Sequence, residues 1–599
     1  MTDTDMAAKL LDNARAARVV RVTVAQLNAT VGDVTGNTAR IVEVLGQARE
    51  LGSDIVAFPE LAVCGYPPED LLLRPSFLAA NAEAIARITP HTVGLTAIVG
   101  FAHRDLDVYN SAAVLHDGVV ADVYHKVLLP NYSVFDEQRY FREGELAPVY
   151  VRDAVRVGVS VCEDMWHPSG PPQAQALAGA DILVNISASP FFAGKARERE
   201  RMLATRAADS VAFVVLCNLV GGQDGLVFDG NSLVINPMGD LVRRGASMAE
   251  DVFTVDVDSE IVFHARLLDP RHRSVDTPQA VASTTTISLP GLPPQVGESP
   301  PLPEREDPEP LDGMAEVYAA LVLGVRDYVH KNGFEDVVIG LSGGIDSALT
   351  AAIAVDALGP EHVLGVTMPS RYSSASSVTD AEDLAANLGV ELITVPVDDV
   401  FQAYLDLLVP YFGDLAPDVT EENIQPRIRG NVLMALSNKL GHLVLTTGNK
   451  SEVSVGYFTI YGDSAGGFAP LQDVPKTLVY DLARWRNEQV DGPHIPDHSI
   501  SRPPSAELRP DQLDEDSLPP YDVLDAILEA YIEDERGLDE IAELGFEPAV
   551  AERVAQLVDR AEYKRRQSPP GVKISERAFG RDRRMPITKR DRTRWLADD

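Results

Sequence analysis

The sequence predicts two consecutive α/β domains, and three observations lead to this prediction. The chain has 599 residues, more than the ~250–300 residues that one hydrophobic core usually supports. Apolar runs of strand length alternate with segments of helical periodicity from Val19 to about Val257, and the alternation resumes after residue 310. A Pro- and Ser-rich stretch separates the two regions and indicates a linker or a wrapped extended segment. We therefore predict a first domain at 19–278, a linker at 279–310, a second domain at 311–570 and a basic tail at 571–599.

Apolar runs and their spacing predict the strands and helices of each domain in order. In the first domain the predicted strands are VVRVTVAQLN, SDIVAFPEL, GLTAIVGFA, YNSAAVLHDG, VRVGVSVCEDM, ADILVNISAS, AFVVLCNLVG and NSLVINPMGD. The predicted helices there are NTARIVEVLGQARE, FLAANAEAIARI and KARERERMLATRAADS. In the second domain FEDVVIGLS, HVLGVTMPS, VELITVPVDD and GHLVLTTGNK are strand candidates, and their crossover spacing predicts a parallel sheet.

The composition argues against several classes of protein. The formal net charge of −38 disfavours binding of nucleic acid or an anionic membrane by the whole surface. Three cysteines, Cys64, Cys162 and Cys217, are too few for a disulfide framework and lack the spacing of zinc ligands. The N-terminus is unlike a signal peptide, and no window approaches the ~18 apolar residues of a membrane span. We therefore expect a cytoplasmic protein.

The segment GLSGGIDSAL, at 340–349, follows a predicted strand and precedes a predicted helix. A strand, a Gly-rich turn and a helix N-terminus together are suited to bind phosphate through backbone amides. Gly343 and Gly344 allow close approach of the backbone to an anion, and Ser342 and Ser347 can donate hydroxyl hydrogen bonds. Asp346 would repel a phosphate, so it either serves a bound cation or caps the helix.

The string LSGGIDS resembles the pyrophosphatase loop of enzymes that attack ATP at its α-phosphorus and release pyrophosphate. The strings NIQPRIR, TGNKSE and GYFTIYGD then resemble those of NAD synthetases. This resemblance implies a Rossmann-like parallel-sheet domain that binds ATP, Mg²⁺ and deamido-NAD. The ATP contacts it implies are Gly340, Leu341, Ser342, Gly343, Gly344, Ile345, Asp346, Ser347, Thr447, Lys476 and Ser505. The deamido-NAD contacts it implies are Asn423, Glu452, Tyr457, Phe458, Thr459, Ile460 and Lys564, and the metal ligands are Asp346 and Glu452.

Two positions depart from the pattern of that family. Ser505 stands where the family often has threonine, and Ile460 stands where the ammonia-only enzymes often have lysine.

The first domain carries a glutamate, a lysine and a cysteine close to predicted strand ends. Glu60 lies in FPEL, Lys126 in HKVLLPN and Cys162 in CEDMW. A thiol activated by a carboxylate base, with a lysine to stabilise negative charge, can open an amide. Cys64 and Cys217 lack such strings, and we interpret them as buried apolar thiols.

The same strings resemble the nitrilase superfamily, whose domains are α-β-β-α sandwiches. The resemblance implies that Glu60 is the general base, that Lys126 holds the tetrahedral intermediate and that Cys162 forms the acyl-enzyme. It also implies that Glu137 is an extra carboxylate beside the triad. Tyr132, Ser189 and Lys195 match the residues that contact glutamine in NAD synthetases.

Together the two resemblances imply a glutamine-dependent NAD synthetase. Glutamine hydrolysis in the first domain would supply ammonia, and a passage between the sites would keep that ammonia neutral for the amidation in the second. The expected substrates are L-glutamine, ATP and deamido-NAD, without a tightly bound organic cofactor, and members of the family form homo-oligomers, commonly octamers.

The alternatives are another amidating or tRNA-thiolating enzyme with this loop and a non-enzymatic nucleotide sensor. The charge of −38 disfavours an enzyme that acts on tRNA, and the complete set of Glu60, Lys126 and Cys162 disfavours the sensor. The basic tail is either solvated or docks on a phosphorylated ligand or an acidic neighbour.

Overall fold

The computed structural model describes residues 19–153, 155–269, 283–292, 300–492 and 494–589. The chain divides into two compact units, with the main boundary between Leu311 and Asp312. Residues 279–282 and 293–299 of the predicted linker, and 590–599 of the predicted tail, lie outside the described residues. In the part of the chain that is described, no helix has both the length and the apolar character needed to cross a membrane.

Two sheets form the framework of the first unit. The strands before Leu311 are β1 Val19–Gln26, β2 Ile55–Ala57, β3 Thr96–Arg104, β4 Val108–His116, β5 Val119–His125, β6 Leu146–Arg152, β7 Val155–Val161, β8 Ile182–Ser187, β9 Phe213–Asn218, β10 Val220–Gln223, β11 Leu226–Asp229, β12 Leu233–Ile235, β13 Leu241–Arg244, β14 Asp251–Asp258 and β15 Ser283–Ser288. One sheet has the order β14-β1-β2-β3-β4-β5, and the other has the order β13-β12-β9-β8-β7-β6-β15. Strands β10 and β11 pair separately.

The two sheets share one buried apolar cluster. It contains Val24 and Ile98 from the six-stranded sheet and Val159 and Val184 from the seven-stranded sheet. The helices of this unit are Val34–Glu50, Pro75–Ile88, Pro171–Leu177, Lys195–Ser210 and Ser259–Leu268. The second of these packs on β3, the third on β6 and β7, and the fourth on β9 and β12, so helices cover the outer faces of both sheets. This arrangement confirms the α-β-β-α sandwich that the resemblance to nitrilases implies.

The segment predicted as a linker or wrapped extended segment lies against the first unit wherever it is described. Its strand β15 pairs in parallel with β6. Further on, the Pro300 carbonyl accepts a hydrogen bond from Arg21 at 2.7 Å, and Arg305 forms an ion pair with Asp251 at 2.5 Å.

The second unit is built on a parallel sheet of four strands. These are β16 Val337–Gly340, β17 Val363–Thr367, β18 Glu391–Thr394 and β19 Leu443–Leu445, in the order β18-β17-β16-β19. The α-helices are Gly313–Lys331, Ile345–Leu358, Ala375–Leu388, Asp398–Phe412, Val419–Leu440, Lys450–Val455, Lys476–Glu488, Asp497–Ser501, Tyr521–Leu528, Leu538–Glu543, Pro548–Arg560 and Glu562–Arg565. This confirms the Rossmann-like fold, and the reversal of strand order at β16 opens a crevice beside β19, where such sheets bind ligands.

The described part of the predicted basic tail packs on the second unit. Val572 and Ile574 are buried, and Lys573 forms an ion pair with Asp582 at 2.8 Å. The carboxylate of Asp473 accepts hydrogen bonds at 2.8 Å from the backbone amides of Ile574 and Ser575. Of the two alternatives for the tail, residues 571–589 therefore follow the one in which the chain docks on an acidic neighbour.

Truncation of the shared core should destabilise the first unit. Ile182 of β8 is fully buried, so we expect Ile182→Ala to lower the free energy of unfolding by about 2–5 kcal/mol. Urea titration can follow this through the fluorescence of Trp166, in a background where Trp485 and Trp595 are replaced by phenylalanine. As a control, Ile261→Ala removes a side chain that is 39% exposed and should change the free energy by less than about 0.5 kcal/mol. Equal effects of the two variants would contradict the shared core.

Candidate active sites

Three charged side chains form a buried cluster in the first unit. The ammonium of Lys126 donates hydrogen bonds to Glu60 Oε1 at 2.8 Å and to Glu137 Oε1 at 2.9 Å. Lys126 and Glu60 have no exposed surface, and Glu137 is 4% exposed. Buried ions are tolerated where opposite charges and hydrogen bonds compensate for lost hydration. Here the two carboxylates share one cation, the ammonium of Lys126.

The pKa values of Lys126 and Glu137 are both raised, but for different reasons. Burial alone would lower the pKa of Lys126, but the charges of Glu137 and Glu60 raise it well above its usual value. Burial raises the pKa of Glu137 to about 7, with Lys126 opposing this shift and Glu60 adding to it. Lys126 therefore stays positively charged at neutral pH, while Glu137 is close to its midpoint.

Glu60 is held by both sheets of the sandwich. It follows β2, and its Oε1 accepts a hydrogen bond from Asn110 Nδ2 of β4 at 2.7 Å. Its Oε2 accepts one from the backbone amide of Ala188, just after β8 in the other sheet, at 2.8 Å. Gly100 of β3 lies so close to this strand end that a Cβ would be 2.2 Å from the Pro59 carbonyl oxygen, so only glycine fits there.

Cys162 lies in a one-turn helix, Cys162–Met165, directly after β7. It is 3% exposed, and its φ of +44° lies in the left-handed region that non-glycine residues adopt mainly at constrained functional turns. Burial raises the pKa of the Cys162 thiol and the charge of Glu60 raises it further, whereas Lys126 and a hydrogen bond with Ser187 lower it. The thiol thus needs a base to become a nucleophile, and Glu60 is the adjacent carboxylate.

Two of the three predicted glutamine contacts touch the segment that follows Cys162. Tyr132 donates from its hydroxyl to both carboxylate oxygens of Glu163, at 3.2 and 3.0 Å. The ammonium of Lys195 lies 4.0 Å from the centroid of the Trp166 ring. The third residue, Ser189, is buried, and its hydroxyl accepts a hydrogen bond of 3.4 Å from an arginine on the helix of Lys195.

Sequence reasoning did not identify several residues that hold the cluster. Tyr66 donates to Glu137 Oε1 at 2.9 Å, and Asn110 donates to Glu60. Neither residue lies in a string with a recognisable chemical pattern. Glu163 and Asp164 lie in CEDMW directly after Cys162, and this proximity to the predicted nucleophile was the sequence signal for them.

The second unit contains a cavity of about 460 Å³ at the carboxyl ends of β16 and β19. All the residues predicted to contact ATP or deamido-NAD line this cavity except Gly343 and Ile460. The carbonyl of Ile460 instead accepts a hydrogen bond from Arg427 at 3.3 Å. The cavity is also lined by Arg429, in the string NIQPRIR, and by Asp514, which sequence reasoning did not single out.

Gly343 shapes the phosphate loop. Its φ is +78°, and a Cβ at this position would lie 2.3 Å from the backbone oxygen of Ser377. The loop is closed by Ser347, whose hydroxyl donates to the Gly344 carbonyl at 2.9 Å and accepts from the Ser342 amide at 3.3 Å. The helix Ile345–Leu358 then begins with its amino end at the cavity.

Lys476 lies between two carboxylates at this cavity. Its ammonium pairs with Asp346 Oδ2 and, at 3.4 Å, with Glu452 Oε1, while Asn449 donates to Asp346 Oδ1 at 2.9 Å. Burial raises the pKa of Glu452 to about 8, which Lys476 opposes and Asp346 reinforces. The carboxylate of Asp346 thus bonds to Asn449 and Lys476, whereas Gly344 stands at the N-cap of its helix.

Lys564 holds one wall of the cavity. Its ammonium donates to the carbonyls of Gly456 at 2.7 Å and Phe458 at 2.9 Å. On the same wall, the hydroxyl of Thr459 donates to Asn423 Oδ1 at 2.7 Å. These bonds fix the path of the segment that faces the cavity.

Comparisons with known proteins match each unit to a family. The carbon-nitrogen hydrolase family matches residues 21–266, and the NAD synthase family matches residues 317–568. The glutamine-dependent NAD(+) synthetase of Thermotoga maritima is 48% identical over 578 residues, which cover 95% of this chain and 99% of the relative. That of Aquifex aeolicus is 48% identical over 575 residues, which cover 96% of this chain and all of the relative.

Solved structures resemble the chain over its length. The glutamine-dependent NAD+ synthetase of Acinetobacter baumannii, in complex with ADP, matches with a TM-score of 0.72 and 40% identity, and the match covers 97% of this chain and 100% of that one. The enzyme of the same name from Cytophaga hutchinsonii shares the fold, with a TM-score of 0.78 and 21% identity over 96% of this chain and 98% of its own. The predicted resemblance is confirmed: the chain belongs to the family of glutamine-dependent NAD(+) synthetases.

Proposed function

We propose that this protein is a carbon–nitrogen ligase that makes NAD from deamido-NAD, ATP and the amide nitrogen of L-glutamine. The observation that carries the proposal is that one chain holds two sets of buried, charge-paired reactive groups. The first is Cys162 with Glu60 and Lys126, and the second is Lys476 at a phosphate-loop cavity. Each set suits one half of a glutamine-driven amidation.

In the first unit, Cys162 attacks the side-chain amide of glutamine. Glu60 takes the thiol proton as the carbon–sulfur bond forms, and Lys126 stabilises the oxyanion that develops on the amide oxygen. Glu60 returns the proton to the amide nitrogen, and ammonia leaves as the carbon–nitrogen bond breaks. Glu60 then takes a proton from water, which attacks the thioester, so that glutamate and the free thiol form.

In the second unit, the carboxylate of deamido-NAD attacks the α-phosphorus of ATP, and pyrophosphate leaves. The loop amides, the helix amino end and Lys476 stabilise the charge on the pyrophosphate. Ammonia then attacks the acyl carbon of the adenylate and expels AMP, which gives NAD. Lys476 suits this role because Asp346 and Glu452 raise its pKa against the effect of burial, so it remains charged.

The carboxylates beside Lys476 fit a magnesium ion. Mg²⁺ usually binds one or two carboxylates together with substrate phosphates, and Asp346 and Glu452 supply two such oxygen donors at the phosphate loop. When bound with ATP, the ion supplies positive charge that offsets the triphosphate. We propose Asp346 and Glu452 as the residues that hold it.

The remaining properties are proposed from family resemblance. They are a cytoplasmic location and assembly into a homo-oligomer, commonly an octamer in this family. A reducing compartment agrees with the free thiols of Cys64, Cys162 and Cys217.

Replacement of Cys162 should separate the two half-reactions. Wild-type protein with L-glutamine, ATP, Mg²⁺ and deamido-NAD should form NAD, AMP, pyrophosphate and glutamate in equal amounts. Cys162→Ala should form no NAD from glutamine but should keep its rate with ammonium salts, because the second cavity is unchanged. Chromatography of the nucleotides measures both rates, and Cys217→Ala, which removes another buried thiol whose bonds go to the carbonyls of Ala25 and Ala57, serves as the control. If folded wild-type protein forms no NAD in this assay, the proposed function is wrong.

Replacement of Lys476 should abolish synthesis from either nitrogen source. We expect Lys476→Met to lower pyrophosphate release about 10²–10³-fold, because a preorganised charge at the triphosphate is lost. Glutamine hydrolysis measured without ATP should persist, since Lys476 lies in the second unit. The exposed Lys439→Met is the matched control. Unaltered pyrophosphate release from Lys476→Met would rule out its role at ATP.

Glu137 should make the stability of the first unit depend on pH. Its folded-state pKa of about 7 lies above the usual value of 4.5, so its contribution is fully present below about pH 4.5 and is lost as pH rises through 7. We expect the free energy of unfolding to fall more between pH 5 and pH 8 in the wild type than in Glu137→Gln. Urea titration with Trp166 fluorescence measures this, with the exposed Glu143→Gln as the control. The prediction fails if Glu137→Gln and the wild type have the same pH slope.

A further inference from the structure

Asp164 is a fully buried carboxylate that accepts four hydrogen bonds in the first unit. Its Oδ2 accepts from the Val161 amide at 3.0 Å and from the Tyr124 hydroxyl at 2.7 Å. Its Oδ1 accepts from the amides of Val127 at 3.1 Å and Leu128 at 2.9 Å. The mechanism described above does not use this carboxylate.

The donors to Asp164 flank two of the reactive residues. Val161 immediately precedes Cys162, and Val127 immediately follows Lys126. Cys162 follows β7 of the seven-stranded sheet, and Lys126 follows β5 of the six-stranded sheet. Asp164 therefore joins the backbone beside the nucleophile to the backbone beside the cation across the two layers of the sandwich.

The turn at Cys162 also depends on this carboxylate. A cysteine with a φ of +44° is strained, and such a conformation persists only where its surroundings hold it. The bond from the Val161 amide to Asp164 closes the turn on its amino side. A displacement of that turn would change the distances from the thiol to both Glu60 and Lys126.

Only an ionised carboxylate suits the four donors. Its two oxygens accept and never donate, so they satisfy three backbone amides and one hydroxyl at once. An asparagine side chain has the same size, but its NH₂ group would face the N–H groups on one side. Such buried donors would then lack an acceptor, and the backbone would move to relieve this.

We propose that Asp164 is a positioning residue for glutamine hydrolysis, which holds Cys162 and Lys126 at a fixed separation by accepting backbone hydrogen bonds beside both. This inference rests on the proposed function of the first unit. It assigns Asp164 no contact with glutamine, so its loss should slow the chemical steps without weakening glutamine binding.

The test compares three variants of the full-length protein. Asp164→Asn removes half of the acceptor capacity, and a misplacement of about 1 Å at reacting groups lowers rates about 100-fold, so we expect kcat for glutamine hydrolysis to fall by about that factor. Tyr124→Phe removes one donor and should lower kcat about 3–10-fold. Tyr150→Phe is the control, because it removes a tyrosine–aspartate bond of the same length, to the partly buried Asp122 Oδ2 at 2.7 Å, instead of the bond to Asp164; its kcat should equal that of the wild type.

Further readouts separate positioning from a loss of folding. KM for glutamine should stay within about threefold of the wild type, and NAD synthesis from ammonium salts should not change. The pH dependence of Cys162 alkylation by iodoacetamide should move to higher pH in Asp164→Asn, because Lys126 no longer lies at the distance where it lowers the pKa of the thiol. Mass spectrometry of the Cys162 peptide measures this shift.

Each outcome decides the proposal. A kcat for Asp164→Asn within threefold of the wild type would overturn it, and so would a rise in KM with kcat unchanged. Should Asp164→Asn not fold, Tyr124→Phe decides: the proposal fails where its kcat equals that of Tyr150→Phe. Absence of glutamine hydrolysis by the wild type would instead refute the proposed function, which makes the two failures distinguishable.

Discussion

The hydrogen-bonded ion pair between Lys126 and Glu60 is the interaction on which the first unit is organised. Neither side chain has exposed surface, so both charges have lost their hydration and need protein groups to compensate for that loss. The compensation comes from groups on both sheets, with Asn110 from one and the Ala188 amide from the other. The sandwich must therefore close in one register for the pair to be satisfied, and the surrounding apolar core provides that register.

The second unit uses a similar charge arrangement for a different purpose. Lys476 also lies between two carboxylates, but Asp346 and Glu452 line a cavity large enough for part of a nucleotide. The start of its helix is fixed by polar side chains, since Ser451 accepts a hydrogen bond from the Lys476 amide at 2.8 Å and Asp525 accepts one from the next amide at 2.9 Å. Under the proposed function, Lys476 exchanges protein carboxylates for substrate phosphates without a change in backbone position.

The sequence predicted those features that are local in the chain. Glu60 and Cys162 follow apolar strands, and the phosphate loop separates a strand from a helix, so short strings indicated them. The partners that hold these groups are distant in sequence: Asp164 bonds to Val127, and Tyr66 bonds to Glu137, 71 residues away. No local pattern states which distant donor will meet a carboxylate, because packing of the two sheets decides it.

Composition also concealed two ordered segments, one near the end of the first unit and one at the end of the second. The Pro- and Ser-rich stretch contains STTTIS, whose β-branched residues favour a strand, and this segment pairs with β6. The basic tail is rich in lysine and arginine, but it also contains the alternating apolar residues Val572 and Ile574, which are buried. The net charge of a segment therefore predicts its exposure to solvent only where the segment has no apolar residues that pack into a core.

The charges around Cys162 suit the role of nucleophile proposed for it, because they keep the resting thiol protonated. Burial and the charge of Glu60 both oppose a free thiolate, so the proton stays on sulfur in the resting site. Transfer of that proton to Glu60 removes one negative charge and creates another, so the net charge beside Lys126 does not change. A change in the net charge of a buried site is costly, because the new charge cannot be hydrated. A proton transfer within the site leaves the net charge unchanged and avoids this cost. In the proposed mechanism the thiolate therefore forms together with the bond to the amide carbon, and Glu60, whose charge keeps the proton on sulfur in the resting site, accepts that proton when glutamine is present.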